Sequence, residues 1–335
     1  MQPVTWGIIS TAKIGVEKVI PAMQKSKHCH IRAIASRDLA LARRWAEKLN
    51  IPKAYGSYEA LLADPEIEAV YNPLPNHLHV PWSIKAAEAG KHVLCEKPIA
   101  LDAREAQQLV AARDRTGKLI TEAFMVRSHP QWLGARELVR QGRIGALRAV
   151  QGLFSYFLTD PQNVRNKADI GGGGLYDIGC YPIVTSRFLF EAEPTRVVAL
   201  IERDPVLKVD RLASAILDYP KGQASFMCST QLVPYQRMQI LGTKGRIEIE
   251  IPFNAPPDRP CRIFVDDGSQ LGDASAREET FAVCDQYAIQ GDLFSEAVRS
   301  GKPVEFPLEN AVQNMRVIDA LFRSARTGGW ETVAA

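Results

Sequence analysis

Short apolar runs alternate with amphipathic stretches along the first 125 residues of the chain. The runs have the length of buried strands, and the stretches between them repeat apolar positions at helical spacing. The predicted strands are Val4–Ser10, Ile31–Ser36, Ala69–Asn72, a run that begins at His92, and Leu119–Met125. Strands separated by single helices indicate a parallel sheet with right-handed crossovers, so residues 1–125 are predicted to form a doubly wound α/β domain.

Polar residues and glycines mark the ends of these helices. Asp38 and Asp102 stand at predicted N-cap positions, and Glu105 follows Asp102 at the spacing of a capping box. Gly90 and Gly117 are the predicted C-terminal caps. The helix boundaries are therefore supported by capping residues as well as by periodicity.

From residue 126 onward the pattern changes to consecutive strands with turns between them. The predicted strands are Leu147–Phe157, Arg196–Glu202, Leu212–Asp218, Ala224–Ser229, Gln236–Leu241 and Arg246–Ile251. Predicted helices cover residues 130–141, 175–190, 286–300 and 309–327. Because 335 residues exceed one ordinary core, residues 126–335 are predicted to form a second domain, of the α+β class, with a large open and mostly antiparallel sheet.

Composition argues against a nucleic-acid partner, a membrane span and an oxidising compartment. The net charge is +3 and no run of five or more basic residues occurs, which argues against nucleic acid. Six scattered cysteines without a Cys-x-x-Cys pair indicate reduced thiols. The N-terminus lacks signal-peptide order, and no apolar stretch reaches the ~20 residues that span a bilayer. The expectation is a cytoplasmic protein that acts on a small molecule.

The turn after the first strand resembles a dinucleotide-binding loop. A glycine fingerprint would occupy positions 10, 12 and 15, which here are Ser10, Ala12 and Gly15. The two substitutes are small, so the backbone can still approach a pyrophosphate at the helix N-terminus. The predicted cofactor-binding residues of this loop are Ser10, Thr11, Ala12, Lys13 and Ile14.

The end of the second strand bears on the choice between NAD and NADP. An NAD-selective site places an acidic residue there to bind the ribose hydroxyls. This chain has Ser36 and Arg37, followed by Asp38, which the N-cap role already explains. A hydroxyl beside a guanidinium suits a 2′-phosphate, so NADP is predicted, with NAD as the alternative.

Two further motifs carry candidate chemistry. Lys97 follows the strand from His92, where open α/β sheets bind ligands. Four glycines, 171–174, precede a helix on which Asp177 and Tyr181 stand four residues apart and share a face. Tyr181 could exchange a proton with a carbinol oxygen, the Lys97 ammonium would favour its tyrosinate, and Asp177 could orient substrate hydroxyls.

The order of these motifs resembles the Gfo/Idh/MocA oxidoreductase family over essentially the whole chain. The resemblance rests on Trp6–Ile14, Ala35–Asp38, Pro73–His79, Ala89–Pro98 and the glycine-rich Asp177…Tyr181 segment. The branch it resembles most is that of dimeric dihydrodiol dehydrogenase and NADP-dependent D-xylose 1-dehydrogenase. It implies a Rossmann domain, an open-sheet domain, and hydride transfer between NAD(P) and a sugar or cyclic diol, with Lys97 and Tyr181 catalytic.

The resemblance also implies roles for residues outside the motifs analysed so far. Pro73, Leu74, Asn76 and His79 would lie along the cofactor, and Glu96 near the nicotinamide ribose. Arg165 belongs to a substrate-side loop, so Lys97, Arg165, Asp177 and Tyr181 are the expected substrate-binding residues. Phe154, Tyr156 and Phe157 could line the pocket, although alternate apolar residues on a strand more often form core. His77 and His79 lack the supporting ligands of a metal site, and none is predicted.

The sequence leaves three functional hypotheses open. They are a sugar or diol dehydrogenase, a ketosugar reductase of the same family, and a catalytically silent NADP-binding regulator. A large one-sided sheet also predicts a homodimer or homotetramer, because monomers rarely expose an extended apolar face.

Overall fold

The computed structural model describes residues 2–333, which form two compact units. Unit 1 comprises the residues up to Met125 together with Asp285–Val312. Unit 2 comprises Val126–Cys284 and the residues from Gln313 onward.

The described part of unit 1 contains a six-stranded parallel sheet. Its strands are β1 (Val4–Ile9), β2 (Cys29–Ala35), β3 (Lys53–Tyr55), β4 (Ala69–Asn72), β5 (His92–Glu96) and β6 (Ile120–Ala123). The helices between them are α1 (Gly15–Val19, continuing as Ile20–Met23), α2 (Leu39–Lys48), α3 (Tyr58–Leu62), α4 (His79–Glu88) and α5 (Ala103–Thr116). The strand order β3-β2-β1-β4-β5-β6 is that of a doubly wound fold, as the sequence predicts.

The predicted capping residues lie at the first and last turns of these helices. The Asp38 carboxylate accepts hydrogen bonds from the amides of Ala40 (2.8 Å) and Leu41 (3.2 Å) at the start of α2. Asp102 accepts from the Glu105 amide at 2.7 Å at the start of α5. Gly117 ends α5 in the left-handed conformation, with φ 65°. The side-chain oxygens thus satisfy amides that have no partner within the helix.

Unit 2 contains a nine-stranded sheet among its described residues. Its first elements are α6 (Pro130–Arg140), β7 (Leu147–Phe157) and α7 (Leu175–Gly179, continuing as Cys180–Phe190). The strands that follow are β8 (Arg196–Arg203), β9 (Asp210–Tyr219), β10 (Gly222–Ser229), β11 (Gln231–Gly242), β12 (Arg246–Ile249), β13 (Cys261–Asp266) and β14 (Arg277–Phe281). The chain closes with α8 (Gln286–Ser300), α9 (Leu308–Thr327) and β15 (Glu331–Thr332).

This second sheet is mixed and mostly antiparallel, in the order β14-β13-β12-β11-β7-β10-β9-β8-β15. β7 pairs in parallel with β10, and the other pairs are antiparallel. Helix α7 lies on one face, where a Cβ at Gly152 would come within 2.9 Å of Pro182 and 2.7 Å of Met238. Glycine at this position therefore allows the strand and the helix to approach closely.

The structure adds elements that the pattern did not predict and places one segment differently. β3, α3, β13, β14 and β15 were not predicted. The segment Asp285–Val312, expected in the second domain, belongs to unit 1. In unit 1 the Trp6 ring lies 5.0 Å from that of Phe294, and the Trp6 indole donates to the Ser295 hydroxyl. Helix α8 therefore covers part of the first sheet.

Within residues 2–333, no helix is both long enough and apolar enough to cross a membrane.

Candidate active site

The predicted nucleotide-binding residues of unit 1 lie at one edge of its sheet. Residues 10–14 follow β1, Ser36 and Arg37 follow β2, residues 73–79 follow β4, and Glu96 and Lys97 end or follow β5. These four strands are neighbours and parallel, so their carboxyl ends meet at the same edge. That edge is where open α/β sheets bind ligands.

Ser10 adopts a backbone conformation that usually belongs to glycine. Its φ is 104°, which explains why a nucleotide fingerprint prefers glycine at this position. The Ser10 hydroxyl accepts a 3.1 Å hydrogen bond from the Ala12 amide, and the Ser10 amide donates to the Ala35 carbonyl. The serine therefore fixes the turn that leads into α1 while its backbone carries strain.

A buried hydroxyl, that of Ser36, and an exposed cation, that of Arg37, follow the end of β2. Ser36 is buried and accepts from the Asp38 amide at 3.2 Å, while Asp38 caps α2. Arg37 is exposed and lies beside the Tyr58 hydroxyl. Burial raises the pKa of Tyr58, and the neighbouring guanidinium opposes that rise. A hydroxyl and a guanidinium therefore follow each other after β2, and the carboxylate of Asp38 accepts hydrogen bonds from the first amides of α2.

Glu96 and Lys97 form a short polar segment at the end of β5. The Tyr71 hydroxyl donates to Glu96 Oε1 at 2.6 Å, and the Lys97 amide donates to Glu96 Oε2 at 3.2 Å. Burial, and next the charge of Glu96, raise the pKa of Tyr71 well above its usual value, so this tyrosine remains a donor. The Glu96 carboxylate is therefore fixed from two sides.

His79 is buried beneath this segment. Its ring nitrogens lie 2.7 Å from the carbonyls of Pro98 and Leu74. Burial lowers the pKa of His79 to about 4, although two carbonyl neighbours favour the protonated ring. Because both ring nitrogens already contact the backbone, the imidazole joins the loop after β4 to the Lys97–Pro98 turn.

In unit 2 two side chains, Tyr156 and Arg165, contact the Asp177 carboxylate. Asp177 Oδ2 accepts from the Tyr156 hydroxyl at 2.6 Å and lies 3.0 Å from Arg165 Nε. Burial, and next the Asp177 charge, raise the pKa of Tyr156 far above its usual value. The Asp177 carboxylate also raises the pKa of Arg165. At neutral pH the carboxylate is therefore held by a cation and a neutral hydroxyl donor.

Tyr181 stands on the same helix within an aromatic wall. Its side chain is 5% exposed, and its ring lies 5.6 Å from that of Phe154 and 5.3 Å from that of Phe253. The helix begins with a wide π turn over Leu175–Gly179, a local form that is frequent at functional sites. Packing therefore fixes the orientation of the tyrosine ring.

A groove of about 1020 Å³ opens on unit 2 beside this cluster. Its lining combines aromatic and charged side chains of β7, β11, β13, β14 and the loop between β12 and β13, and it includes Tyr156. Because Tyr156 also donates to Asp177, the groove and the carboxylate share a wall.

Two family models match successive parts of the chain. Residues 4–124 match the oxidoreductase family with an NAD-binding Rossmann fold, and residues 132–248 match the GFO/IDH/MocA C-terminal domain. The chain belongs to the Gfo/Idh/MocA oxidoreductase family. It is thus an oxidoreductase, as the motif order implies.

Three curated relatives cover most of the chain. An uncharacterised oxidoreductase of Rhizobium meliloti is 52% identical over 99% of this chain and 100% of its own length. A D-xylose 1-dehydrogenase (NADP(+)) of Haloferax volcanii is 40% identical over 96% and 98%. A mouse trans-1,2-dihydrobenzene-1,2-diol dehydrogenase is 36% identical over 73% and 74%. These names bear out the branch that the motifs indicated.

The fold has a similar solved structure in KijD10, a 3-ketoreductase from Actinomadura kijaniata in complex with NADP and TDP-benzene. The TM-score is 0.90 at 28% identity, over 96% of this chain and 98% of that one. Family members with different named activities therefore share this fold.

The structure groups the predicted residues of this family member by unit. The nucleotide-side residues and Lys97 belong to unit 1, while Arg165, Asp177 and Tyr181 belong to unit 2. The sequence did not indicate that Tyr58 lies beside Arg37 or that Tyr156 donates a hydrogen bond to Asp177. Tyr156 was expected as core or pocket wall, and only the fold brings its strand to the helix that follows the glycines.

Proposed function

We propose that this protein is an NADP-dependent oxidoreductase that transfers a hydride between the nicotinamide and a carbinol or carbonyl carbon of a sugar or cyclic diol. The observation that carries the proposal is the Asp177 carboxylate, held by Arg165 and Tyr156 on the helix of Tyr181. A carboxylate held in one orientation suits the hydroxyl groups of a polyol, because a charged acceptor strengthens the hydrogen bonds that they donate. Residues 4–124 match a family with an NAD-binding Rossmann fold, so the redox partner of the substrate would be a bound nicotinamide dinucleotide.

The cofactor residues are proposed from the polar edge of unit 1. Ser10–Ile14 and the loop of Pro73, Leu74 and Asn76 would hold the dinucleotide, with Glu96 at the ribose. Ser36 and Arg37 would hold a 2′-phosphate. NADP, when bound, accepts or supplies the hydride. Support for NADP comes from the exposed Arg37, from the engaged Asp38, and from relatives whose names include this cofactor.

Lys97 and Tyr181 are the proposed proton-handling residues. The Tyr181 hydroxyl would exchange a proton with the substrate oxygen, and the Lys97 ammonium would stabilise the resulting phenolate. KijD10 has been solved with a lysine replaced by alanine or glutamate and with a tyrosine replaced by phenylalanine. The replaced lysine and tyrosine are 84 positions apart, as are Lys97 and Tyr181.

A ketosugar reductase is the second candidate. The groove of about 1020 Å³ lies at the upper end of the range for small-molecule sites, which leaves room for more than one pentose. Reductases that carry dTDP-sugar names are 29–32% identical to this chain. A longer, substituted sugar is therefore the substrate class of this alternative.

We also propose that a second copy covers the sheet face opposite α7. The row Leu200–Ser214–Met227–Leu153 crosses four strands on that face. Leu200 is 79% exposed. An exposed leucine on an open sheet face is suited to burial against the same surface of a second copy.

The function is tested by following nicotinamide absorbance with NADP and with NAD against aldoses, inositols, dihydrodiols and ketosugars. Turnover of an aldose or diol with NADP supports the leading proposal, and reduction of ketosugars alone favours the second. Binding of NADPH with no turnover across the panel rejects both and favours a regulator.

A further inference from the structure

A buried carboxylate outside the cluster already described lies at the start of its helix. Asp210, the first residue of β9, is 1% exposed. Its Oδ2 accepts a 2.5 Å hydrogen bond from the Leu175 amide, the first residue of α7. It is therefore fixed to the turn that leads into the helix of Asp177 and Tyr181.

The glycine run is shaped around this carboxylate. A Cβ at Gly173 would lie 1.9 Å from Asp210 Oδ1, and Gly173 has φ 120°. A Cβ at Gly174 would lie 3.6 Å from Asp210 Oδ2. Glycine at position 173 is thus required both by its backbone conformation and by the space that the carboxylate occupies.

The same turn holds both members of the ion pair at the candidate site. The Gly173 amide donates to the Arg165 carbonyl at 2.9 Å, and the Asp177 amide donates to the Gly173 carbonyl at 3.1 Å. Gly173 therefore connects the backbone of Arg165 to that of Asp177. A displacement of this turn moves both residues relative to Tyr156.

We propose that Asp210 is a positioning residue for the reaction, because its carboxylate anchors the turn that places Arg165 and Asp177. The inference rests on the proposed function and adds to it a residue that does not touch substrate or cofactor. Loss of the anchor should lower turnover more than it lowers affinity for NADP, whose proposed residues belong to unit 1.

The electrostatics give the anchor a pH dependence. Burial raises the pKa of Asp210 to about 6, against the amides of Leu175, Asp210 and Gly174 and the charge of Arg203. The Cys228 thiol faces it from β10, and Arg211 follows it on β9 and pairs with Glu202. Beyond that thiol stand Cys180 and Asp177 of α7, which act on Cys228 together with Asp210.

Protonation of Asp210 is expected to change activity and stability in opposite directions. Because the pKa is raised on folding, protonation as the pH falls through about 6 removes a buried charge and favours the folded chain. Protonation also weakens the hydrogen bonds that the carboxylate accepts from the amides. Turnover is therefore expected to fall on the acid side while the contribution of Asp210 to folding improves.

The test compares Asp210→Asn with the matched control Asp204→Asn. Asp204 accepts from the amides of Val206 and Leu207 and so holds a different turn of the same unit. Amide hydrogen exchange in the peptide 171–181 should accelerate roughly tenfold in D210N, and not in D204N, because a charged acceptor is lost. This readout needs no substrate.

The kinetic arm uses the best substrate of the wild-type protein. D210N should lower kcat roughly tenfold or more, leave the KM for NADP within about twofold, and lose the acid limb near pH 6. If D210N does not fold, the wild-type protein decides, because its turnover should fall between about pH 7 and 5 with a midpoint near 6, at a temperature where it remains folded over that whole range.

The outcomes test separately the anchoring of the turn, the positioning role of Asp210 and the proposed function. Unchanged exchange in 171–181 overturns the anchor, and faster exchange with unchanged kcat and pH profile overturns the positioning role. A flat acid limb in the wild-type protein also overturns it. Failure of the proposed function shows itself differently, as a wild-type protein that turns over nothing in the panel.

Discussion

Arg165 Nε lies 3.0 Å from Asp177 Oδ2, so a residue on a loop and a residue on the following helix form one ion pair. The Arg165 side chain is 42% exposed, which limits what the pair contributes to stability. Its consequence is geometric, because the pair fixes which way the Asp177 carboxylate faces. The proposed substrate site depends on that orientation.

Replacing Tyr156 with Phe should weaken substrate handling and leave the nucleotide unaffected. The hydroxyl donates to the Asp177 carboxylate, and a hydrogen bond to a charged group contributes about 1.5–3 kcal/mol. We expect kcat/KM for the substrate to fall about tenfold or more, with the Kd for NADPH unchanged.

Tyr219→Phe is the control for that variant. Tyr219 is also buried, and its hydroxyl hydrogen-bonds to Ser186 instead. This change should reduce thermal stability and leave kcat/KM unaltered. Equal kinetic losses in the two variants would remove Tyr156 from the substrate site.

Arg37→Ala should reverse the cofactor preference. A guanidinium bound to a 2′-phosphate contributes about 1.5–3 kcal/mol, which corresponds to a roughly 10- to 100-fold rise in KM for NADP. The KM for NAD should hardly change. Arg43→Ala, at an exposed position of α2, is the control. A wild-type protein that uses NAD at least as well as NADP would contradict the assignment of Ser36 and Arg37.

The strain at Ser10 is measurable by comparing two substitutions. Ser10→Ala and Ser10→Gly both lose the hydrogen bond from the Ala12 amide, but only glycine relieves a φ of 104°. The glycine variant should exceed the alanine variant in free energy of unfolding by about 1–2 kcal/mol in urea titrations. Equal stabilities would show that this backbone conformation carries no strain.

Leu200→Glu should shift the protein towards monomer in sedimentation experiments. Leu200 belongs to the face that we propose a second copy covers, and a charge there would be desolvated on association. Val206→Glu is the control, because Val206 is similarly exposed but lies in the turn after β8. An unchanged mass for L200E would place the contact elsewhere or exclude it.

The sequence predicted the elements whose patterns are local. Leu147–Phe157 and Ala69–Asn72 match their observed strands residue for residue, because each is a bounded run with strand-like composition. Strand β13 was missed because it is a short run with charged residues at positions 262 and 266. Strand β14 was missed because it opens with three consecutive charged residues, 277–279. Strand pairing between distant segments, such as β7 with β10, has no local signal.

The candidate site divides in the same way. Ser36, Arg37, Lys97 and Asp177 were recognisable because each stands next to a strand end or a glycine run. Tyr156 and Asp210 were not, since they reach the start of α7 from strands of the sheet rather than from neighbouring sequence. The conformation of Ser10 also depends on a turn that its residue type disfavours.

Hydride transfer to the nicotinamide is tested by following the transferred hydrogen as deuterium. The protein would be incubated with NADP and an aldose or diol deuterated at the carbinol carbon, and the reduced nucleotide analysed by mass spectrometry. Deuterium is expected in the nicotinamide ring of NADPH, with both label transfer and turnover lost in Lys97→Ala while NADPH still binds. Unlabelled NADPH, or full transfer by the Lys97→Ala variant, would contradict it.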